Sequence, residues 1–259
     1  MNIQSKDILK ILNNEMFVNQ RILAETSGYS LGTVNSSLKE LVRDEYLNDK
    51  FNLTLKAINL IKENFPKRAI ILAAGFGMRM VPINTEMPKG LLEVKGECLI
   101  ERIIKQLHEV GIKEIYVVVG FMKERYEYLI DEYNVKLVVN NEYANKNNLY
   151  SLSLVKDKLE NSYIVPCDIW CKENPFSNNE LYSWYMVSDL LDSNSNVRVN
   201  RKRELVLVNK KEKGNSMIGI SYLVKEDANV VSNRLKELCN DSDYDDSFWE
   251  ETLFNEDKM

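Results

Sequence analysis

Ala69-Ile-Ile-Leu-Ala-Ala-Gly-Phe-Gly-Met-Arg-Met-Val-Pro-Ile-Asn-Thr-Glu-Met-Pro-Lys-Gly-Leu-Leu-Glu-Val94 decides how this chain is read. Ala69 to Leu72 is a short apolar β-type run, and it empties into a turn of small residues, Ala73-Ala-Gly-Phe-Gly77. One arginine, Arg79, follows at once, and one lysine, Lys89, follows behind Pro88. A strand feeding a glycine-containing loop leaves backbone N–H groups uncovered, which is how proteins cradle phosphate. Two cations at fixed reach from such a cradle suit a triphosphate. The stretch lacks the third glycine of a dinucleotide fingerprint, which argues against hydride transfer, and it has no Gly-Lys-Ser/Thr, which excludes a P-loop.

Working outward, Asn64-Phe-Pro-Lys-Arg68 is a hinge whose proline stops a helix just before the strand. Beyond it the patterns alternate: strand at 69–72, helix at 100–110, strand at 114–119, helix at 123–132, strand at 136–139, helix at 151–159 and strand at 163–166. This alternation predicts an α/β domain with a mostly parallel mixed sheet and helices on both faces. Such a sheet binds its ligand outside the carboxyl ends of the strands, where the opening loop falls. After Phe176 the character changes to strands at 182–187, 197–199, 204–208 and 217–224, then a helix at 227–238. That half is expected to form the acceptor side of the site, with a cationic cluster at Arg198, Arg201, Lys202 and Arg203.

Residues 1–65 read as a separate small unit. Ile8, Leu9, Ile11 and Leu12 form a helical stripe, a second helix covers 19–26, Gly28 breaks the chain, and a third helix covers 31–46. Ser30-Leu-Gly-Thr-Val-Asn-Ser-Ser-Leu-Lys-Glu-Leu-Val-Arg43 resembles the recognition helix of a winged helix-turn-helix module, with a wing at 47–53 and a closing helix at 54–64. DNA would be met by Thr33, Asn35 and Ser36. The unit holds eight Lys/Arg against eight Asp/Glu, so it offers little to the phosphate contacts that dominate DNA affinity, and a dimerisation or regulatory role is favoured.

Composition narrows the function classes. The chain has 259 residues, 44% hydrophobic and 28% charged, with a formal net charge of −5. That is room for a large domain and a small one, with no global field for nucleic acid. No apolar run is long enough to span a bilayer and no secretory pattern opens the chain, so a cytoplasmic enzyme without membrane attachment is expected. The four cysteines have neither zinc-finger nor redox spacing and are expected to be reduced. A single histidine, His108, without a partner rules out Ser-His-Asp and Cys-His chemistry.

Leu72-Ala-Ala-Gly-Phe-Gly-Met-Arg79, followed by Pro82, Thr85 and Pro88-Lys89, resembles the signature of nucleotidyltransferases that activate sugar phosphates and phospho-alcohols. Val118-Val-Gly-Phe-Met-Lys-Glu-Arg-Tyr-Glu-Tyr-Leu129 and Asn147-Asn-Leu-Tyr-Ser-Leu152 resemble more closely the bacterial CTP:phosphocholine cytidylyltransferases. The resemblance covers about residues 67–255. It implies a Rossmann-like nucleotidyltransferase fold over 66–259 and magnesium-dependent transfer of CMP from CTP to phosphocholine, giving CDP-choline and pyrophosphate.

Residue by residue, the resemblance and the chemistry of the side chains assign a site. The backbone from Leu72 through Ala73, Ala74, Gly75 and Phe76 to Gly77 would wrap the triphosphate. Arg79 would neutralise the β- and γ-phosphates, and Lys89 would sit beside the α-phosphate. Gly120 and Asn148, with Ser151 behind them, match where the family reads cytosine. Asp168 matches a family aspartate that binds Mg²⁺, with Glu250 or Asp246 as the second carboxylate. A quaternary ammonium cannot donate hydrogen bonds and is held by aromatic faces and carboxylates, which brings in Trp170, Tyr185, Trp249 and Asp246, with Trp184 and Tyr222 nearby.

Three alternatives stay open. The same chemistry could serve 2-aminoethylphosphonate or a sugar 1-phosphate, and a dead transferase domain could act as a nucleotide sensor in a transcriptional regulator. Intact Arg79, Lys89 and Asp168 argue against the sensor. A homodimer is allowed. Related domains continue past the Phe248-Trp249-Glu250 region with another strand and helix, so the resemblance implies a C-terminal truncation or a different closure here.

Overall fold

The computed structural model describes residues 1–76, 87–200, 202–209 and 212–254. They fall into two compact units, Met1–Pro66 with Ser177–Ser183, and Lys67–Phe176 with Trp184–Met259.

The first unit contains α1 (Ile3–Asn14), α2 (Gln20–Ser27), α3 (Leu31–Arg43) and α4 (Leu55–Glu63). Each starts on a polar cap, respectively Asn2, Asn19, Ser30 and Thr54, whose side-chain oxygen accepts a backbone N–H of the first turn. Gly28 ends α2 in the left-handed region at φ 69°, the break expected from sequence. The third helix stops at Arg43 rather than near Tyr46, because Glu45 turns the chain at φ 61°. Leu47 and Leu53 form one antiparallel bridge where the wing was expected. Ile8, Leu9, Val34, Leu38, Leu41 and Ala57 form the dry core.

Ser177–Ser183 belongs to this helical unit, although the boundary expected at residue 65 had placed it in the catalytic domain. Leu181 is buried in the helical core, and the Tyr182 hydroxyl donates to Asp7 Oδ1 at 2.6 Å. Lys10 Nζ donates to Glu180 Oε2 at 2.5 Å. The segment has no helix or strand of its own, so no periodicity marks it, and Tyr182 precedes the strand it was expected to open.

The second unit runs β1 (Arg68–Ala73), β2 (Glu93–Val94), β3 (Glu97–Cys98), α5 (Leu99–Glu109), β4 (Glu114–Val119), α6 (Tyr128–Tyr133), β5 (Lys136–Val139), α7 (Asn148–Ser153) and β6 (Ser162–Pro166). It continues with β7 (Trp184–Asp192), β8 (Val197–Val199), β9 (Leu205–Leu207), β10 (Gly214–Leu223) and α8 (Lys225–Leu238). A six-stranded sheet has the order β5-β4-β1-β6-β10-β7. β5, β4, β1 and β6 are parallel, and β10 is antiparallel to both β6 and β7. The sheet is thus mostly parallel and mixed, as the alternating pattern predicts. β8 and β9 form a separate two-stranded ribbon.

β1 reads as a continuous apolar run because both its faces are covered. Ala69, Ile71 and Ala73 pack with Ile100, Ile103, Ile104 and Leu107 of α5. Ile70, Leu72 and Ala74 pack with Leu149 and Leu152 of α7 and with Val231 and Leu235 of α8. Two expected helices are shorter than their patterns. The one at 123–132 opens as a 3-10 turn, Lys123–Tyr126, entered through Met122 at φ 49°, before α6 begins. The one at 151–159 starts earlier, on the Asn147 cap, and gives way after Ser153 to a 3-10 turn. The register of β10 against β7 shifts between Met217 and Ser221. Gly219 occupies this bulge at φ 96°, and a Cβ there would meet Pro166 Cγ at 2.8 Å. Among the described residues, no helix is long and apolar enough to cross a membrane.

Candidate active site

A cleft of about 1080 Å³ opens in the second unit at the carboxyl ends of β1 and β6. β1 and the turn after it contribute Leu72, Ala74, Gly75 and Phe76, and β6 with its continuation contributes Pro166, Cys167 and Asp168. Asn148 and Ser151 of α7 form another edge. Tyr185 of β7, Met217 to Gly219 of β10, and Val197 and Leu207 of the ribbon face them, and Asp246, Phe248 and Glu250 come from the C-terminal segment.

Two side-chain pairs in the lining carry ionisable groups. Lys89 follows Pro88 in a 3-10 turn, Lys89–Leu91, and its Nζ donates to Asp168 Oδ2 at 3.1 Å. The two side chains are 21% and 35% exposed, so both remain open to a third partner. The Tyr185 hydroxyl donates to Glu250 Oε1 at 2.8 Å, while Glu250 Oε2 is buried with no partner among the described residues. Burial pushes the Glu250 carboxyl above the usual carboxylate range, Tyr185 opposes the rise, and Glu251 adds to it. Burial, then the Glu250 charge, pushes the Tyr185 hydroxyl well up.

The C-terminal segment is stitched to the start of α7. Asn147 N–H donates to Asp245 O at 2.7 Å, Asn147 Nδ2 donates to Asp246 O at 3.0 Å, and Lys146 pairs with Asp245 at 2.8 Å. Trp249 N–H donates to Asn148 Oδ1 at 2.8 Å. That bond ties the Asn148 side chain to the C-terminal segment through its carbonyl oxygen. Sequence reasoning missed Asn140, fully buried at the end of β5, which lines the cleft. Its Nδ2 donates to Ser151 Oγ at 3.0 Å and its Oδ1 accepts from Glu142 N–H at 2.8 Å. The signal was a polar residue closing a parallel strand at its carboxyl end.

The structure brings Leu72, Ala74, Gly75, Phe76, Lys89, Asn148, Asp168, Tyr185, Asp246 and Glu250 around one cleft. Gly77 and Arg79, with Pro82, Thr85 and Arg201, lie outside the described residues. Other expected residues are placed elsewhere. Ala73 points to the opposite face of the sheet. Gly120 packs behind the cleft: a Cβ there would meet Tyr143 Cβ at 2.5 Å and Ala74 O at 2.8 Å, so glycine lets β4 and β1 close up. Trp249 is 1% exposed in the core with α7 and α8, and Trp170 is half-buried under Lys95 and Arg102, at 4.4 and 4.9 Å from its ring centroid. Neither tryptophan lines the cleft: the Trp249 ring fills the core, and the Trp170 ring is stacked by Lys95 and Arg102. Trp184 and Tyr222 pack around Tyr163 in the α5 face of the core.

Residues 69–177 match the MobA-like NTP transferase domain, and residues 1–48 match a winged helix-turn-helix DNA-binding family. The fold and the site therefore define a nucleotidyltransferase preceded by a winged helix-turn-helix unit. A 2-aminoethylphosphonate cytidylyltransferase from Lancefieldella rimae is 32% identical over 220 residues, covering 78% of this chain and 83% of that protein. A choline-phosphate cytidylyltransferase from Streptococcus pneumoniae is 46% identical over 118 residues, so the match spans 46% of this chain and about half, 52%, of that enzyme. A solved structure of CTP:phosphocholine cytidylyltransferase from Streptococcus pneumoniae superposes with a TM-score of 0.65 at 31% identity, covering 73% of this chain and 84% of that one. The chain belongs to this family of cytidylyltransferases.

Proposed function

We propose that the chain transfers CMP from CTP to phosphocholine and releases pyrophosphate. The observation that carries the reading is the Lys89–Asp168 pair, held at 3.1 Å beside the carboxyl ends of β1 and β6. Nucleotidyl transfer asks little covalent chemistry of a protein; it asks that the α-phosphate be held in line and its growing charge met. In this reading the Ala74–Gly75–Phe76 backbone, with Gly77, wraps the triphosphate, and Arg79 meets the leaving pyrophosphate. Lys89 meets the α-phosphate, and Asn148 with Ser151 reads the base. Relatives named for choline phosphate support the acceptor.

No group of three His, Cys, Asp or Glu among the described residues could hold a metal ion by itself. Mg²⁺, however, is usually held by one or two carboxylates together with substrate phosphates. Asp168 and the buried, half-partnered Glu250 fit that pattern, and they would hold the ion here. Bound there, it would supply positive charge to the phosphate oxygens.

A second reading of the acceptor rests on the same carboxylate. With Trp170 and Trp249 away from the cleft, the Tyr185–Glu250 pair offers an oxygen acceptor for a primary ammonium, which suits 2-aminoethylphosphonate and agrees with the name of the Lancefieldella relative. Pyrophosphate release from CTP with phosphocholine, 2-aminoethylphosphonate and sugar 1-phosphates separates the readings. Absence of turnover on every acceptor would sink the transferase reading.

For the helical unit we favour a regulatory or dimerisation role. Ser36 is exposed on α3 while Thr33 and Asn35 are half-buried, and Arg43 is tied to Asp44 at 2.8 Å. Tight, salt-sensitive binding to mixed-sequence DNA would overturn this.

A further inference from the structure

We propose that Tyr126 is a positioning residue for Lys89, acting through Gly90; the proposal rests on the transferase reading above. Gly90 follows Lys89 in the turn Lys89–Leu91 and is buried. A Cβ on Gly90 would stand 3.1 Å from the Tyr126 hydroxyl oxygen and 3.1 Å from Cys167 Cβ, so its backbone lies directly against both. The Cys98 thiol donates to Gly90 O at 3.4 Å and holds the other side of the same residue.

Three chain segments meet at this point. Gly90 is the neighbour of Lys89, Cys167 is the neighbour of Asp168, and Tyr126 arrives from the 3-10 turn that follows β4. The neighbours of the two members of the ion pair, Gly90 and Cys167, are therefore packed against each other, with the Tyr126 hydroxyl against the same face of Gly90. Tyr126 is 1% exposed and does not line the cleft, so it takes no part in chemistry. Burial pushes its hydroxyl well up, and the Gly90 backbone, acting as a donor, opposes that rise. Removing the oxygen takes away the atom against which the buried Gly90 packs and frees the turn to shift. Charge stabilisation of a reacting phosphate depends on placement within a fraction of an ångström, so Lys89 would lose rate before it lost binding.

The test is Tyr126→Phe in the full chain, which keeps the ring and deletes the oxygen. Expected is a fall in kcat of about tenfold or more with the KM for CTP held within about twofold. Adding Lys89→Ala to this variant should cost no more than Lys89→Ala alone, since both act through one group. Cys98→Ser, which keeps a donor to Gly90 O, should restore what Cys98→Ala loses. An unchanged kcat, or costs for Tyr126→Phe and Lys89→Ala that multiply, overturns the proposal, as does a lowered Tm with normal turnover per folded molecule. If the unaltered chain turns over no acceptor, the transferase reading fails by itself. Crystal structures then decide the positioning claim: Lys89 displaced from Asp168 in Tyr126→Phe supports it, and an unmoved Lys89 overturns it.

Discussion

The Tyr185 hydroxyl donates to Glu250 Oε1 at 2.8 Å, while the second carboxylate oxygen of Glu250 lies buried without a partner among the described residues. A carboxylate half-satisfied in this way is costly in the ligand-free protein. Its raised folded pKa means that its contribution to stability is complete below the ordinary unfolded value and is lost as pH rises through the folded value. Glu250→Gln should therefore melt above the unaltered protein at about pH 8, with the gap closing in acid, and should lose about tenfold or more in turnover. Melting scans of the ligand-free chain across that range check it. Parallel pH profiles for the two proteins would rule out Glu250 as the source.

Lys89→Ala should lower turnover by about 10²- to 10³-fold and leave CTP affinity within a few fold, because the charge it meets grows in the transition state. Calorimetric CTP titration beside single-turnover pyrophosphate release separates the two quantities. A rate within a few fold of the unaltered enzyme would show that Lys89 is only the ion-pair partner of Asp168.

Much of this site was legible in the sequence because local pattern and chemistry agreed there. Val117 to Val119 and Ile70 to Leu72 read as strands because parallel strands buried on two faces leave no polar positions. Lys89 was legible as a lysine behind a proline downstream of the glycine turn, Asp168 as an aspartate at a strand end, both through the resemblance, and the structure pairs them across 79 positions of sequence. Trp170 and Trp249 were misjudged as cleft aromatics because a tryptophan has the same sequence signal whether it lines a site, stacks under Arg102 or fills a core. Gly120 matched a base-reading position in the family, yet here its missing Cβ admits Tyr143 and the Ala74 carbonyl. Asn140 was passed over because its burial depends on Ser151 and Glu142, contacts that no pattern encodes.

Glu114 should give the protein an acid-sensitive contribution away from the cleft. Its carboxylate accepts from the Tyr116 hydroxyl at 2.8 Å, Lys136 Nζ at 3.1 Å and Arg68 Nε at 3.1 Å, and its pKa is lowered to about 2, chiefly by the Tyr116 bond. A depressed folded value gives stability that is present above the unfolded value of 4.5 and is lost as pH falls toward about 2. The side chain is 34% exposed, so solvent screening reduces the contribution to ~1 kcal/mol. Urea unfolding of Glu114→Gln should show that loss near pH 7 and a much smaller one near pH 2. An equal loss at both would mean that packing, and not charge, is at stake.

Leu181→Ala should destabilise the helical unit by ~2–4 kcal/mol, although residue 181 lies far from residues 1–66 in sequence. Leu181 is 4% exposed and sits in the core with Ile8, Leu9 and Leu38, so the substitution leaves a cavity there. The neighbouring Tyr182 hydroxyl donates to Asp7 Oδ1 at 2.6 Å, and the Tyr29 hydroxyl holds the other Asp7 oxygen at 2.5 Å. Ser177–Ser183 thus completes the core that α1 and α3 begin, and the winged helix-turn-helix unit is built from two stretches of the chain. Amide exchange is the measurement that reads this directly: amides of α1 and α3 should exchange faster in Leu181→Ala, while β1 and β4 amides keep their protection. If α1 and α3 exchange as in the unaltered protein, the segment only rests on a unit that residues 1–66 complete by themselves.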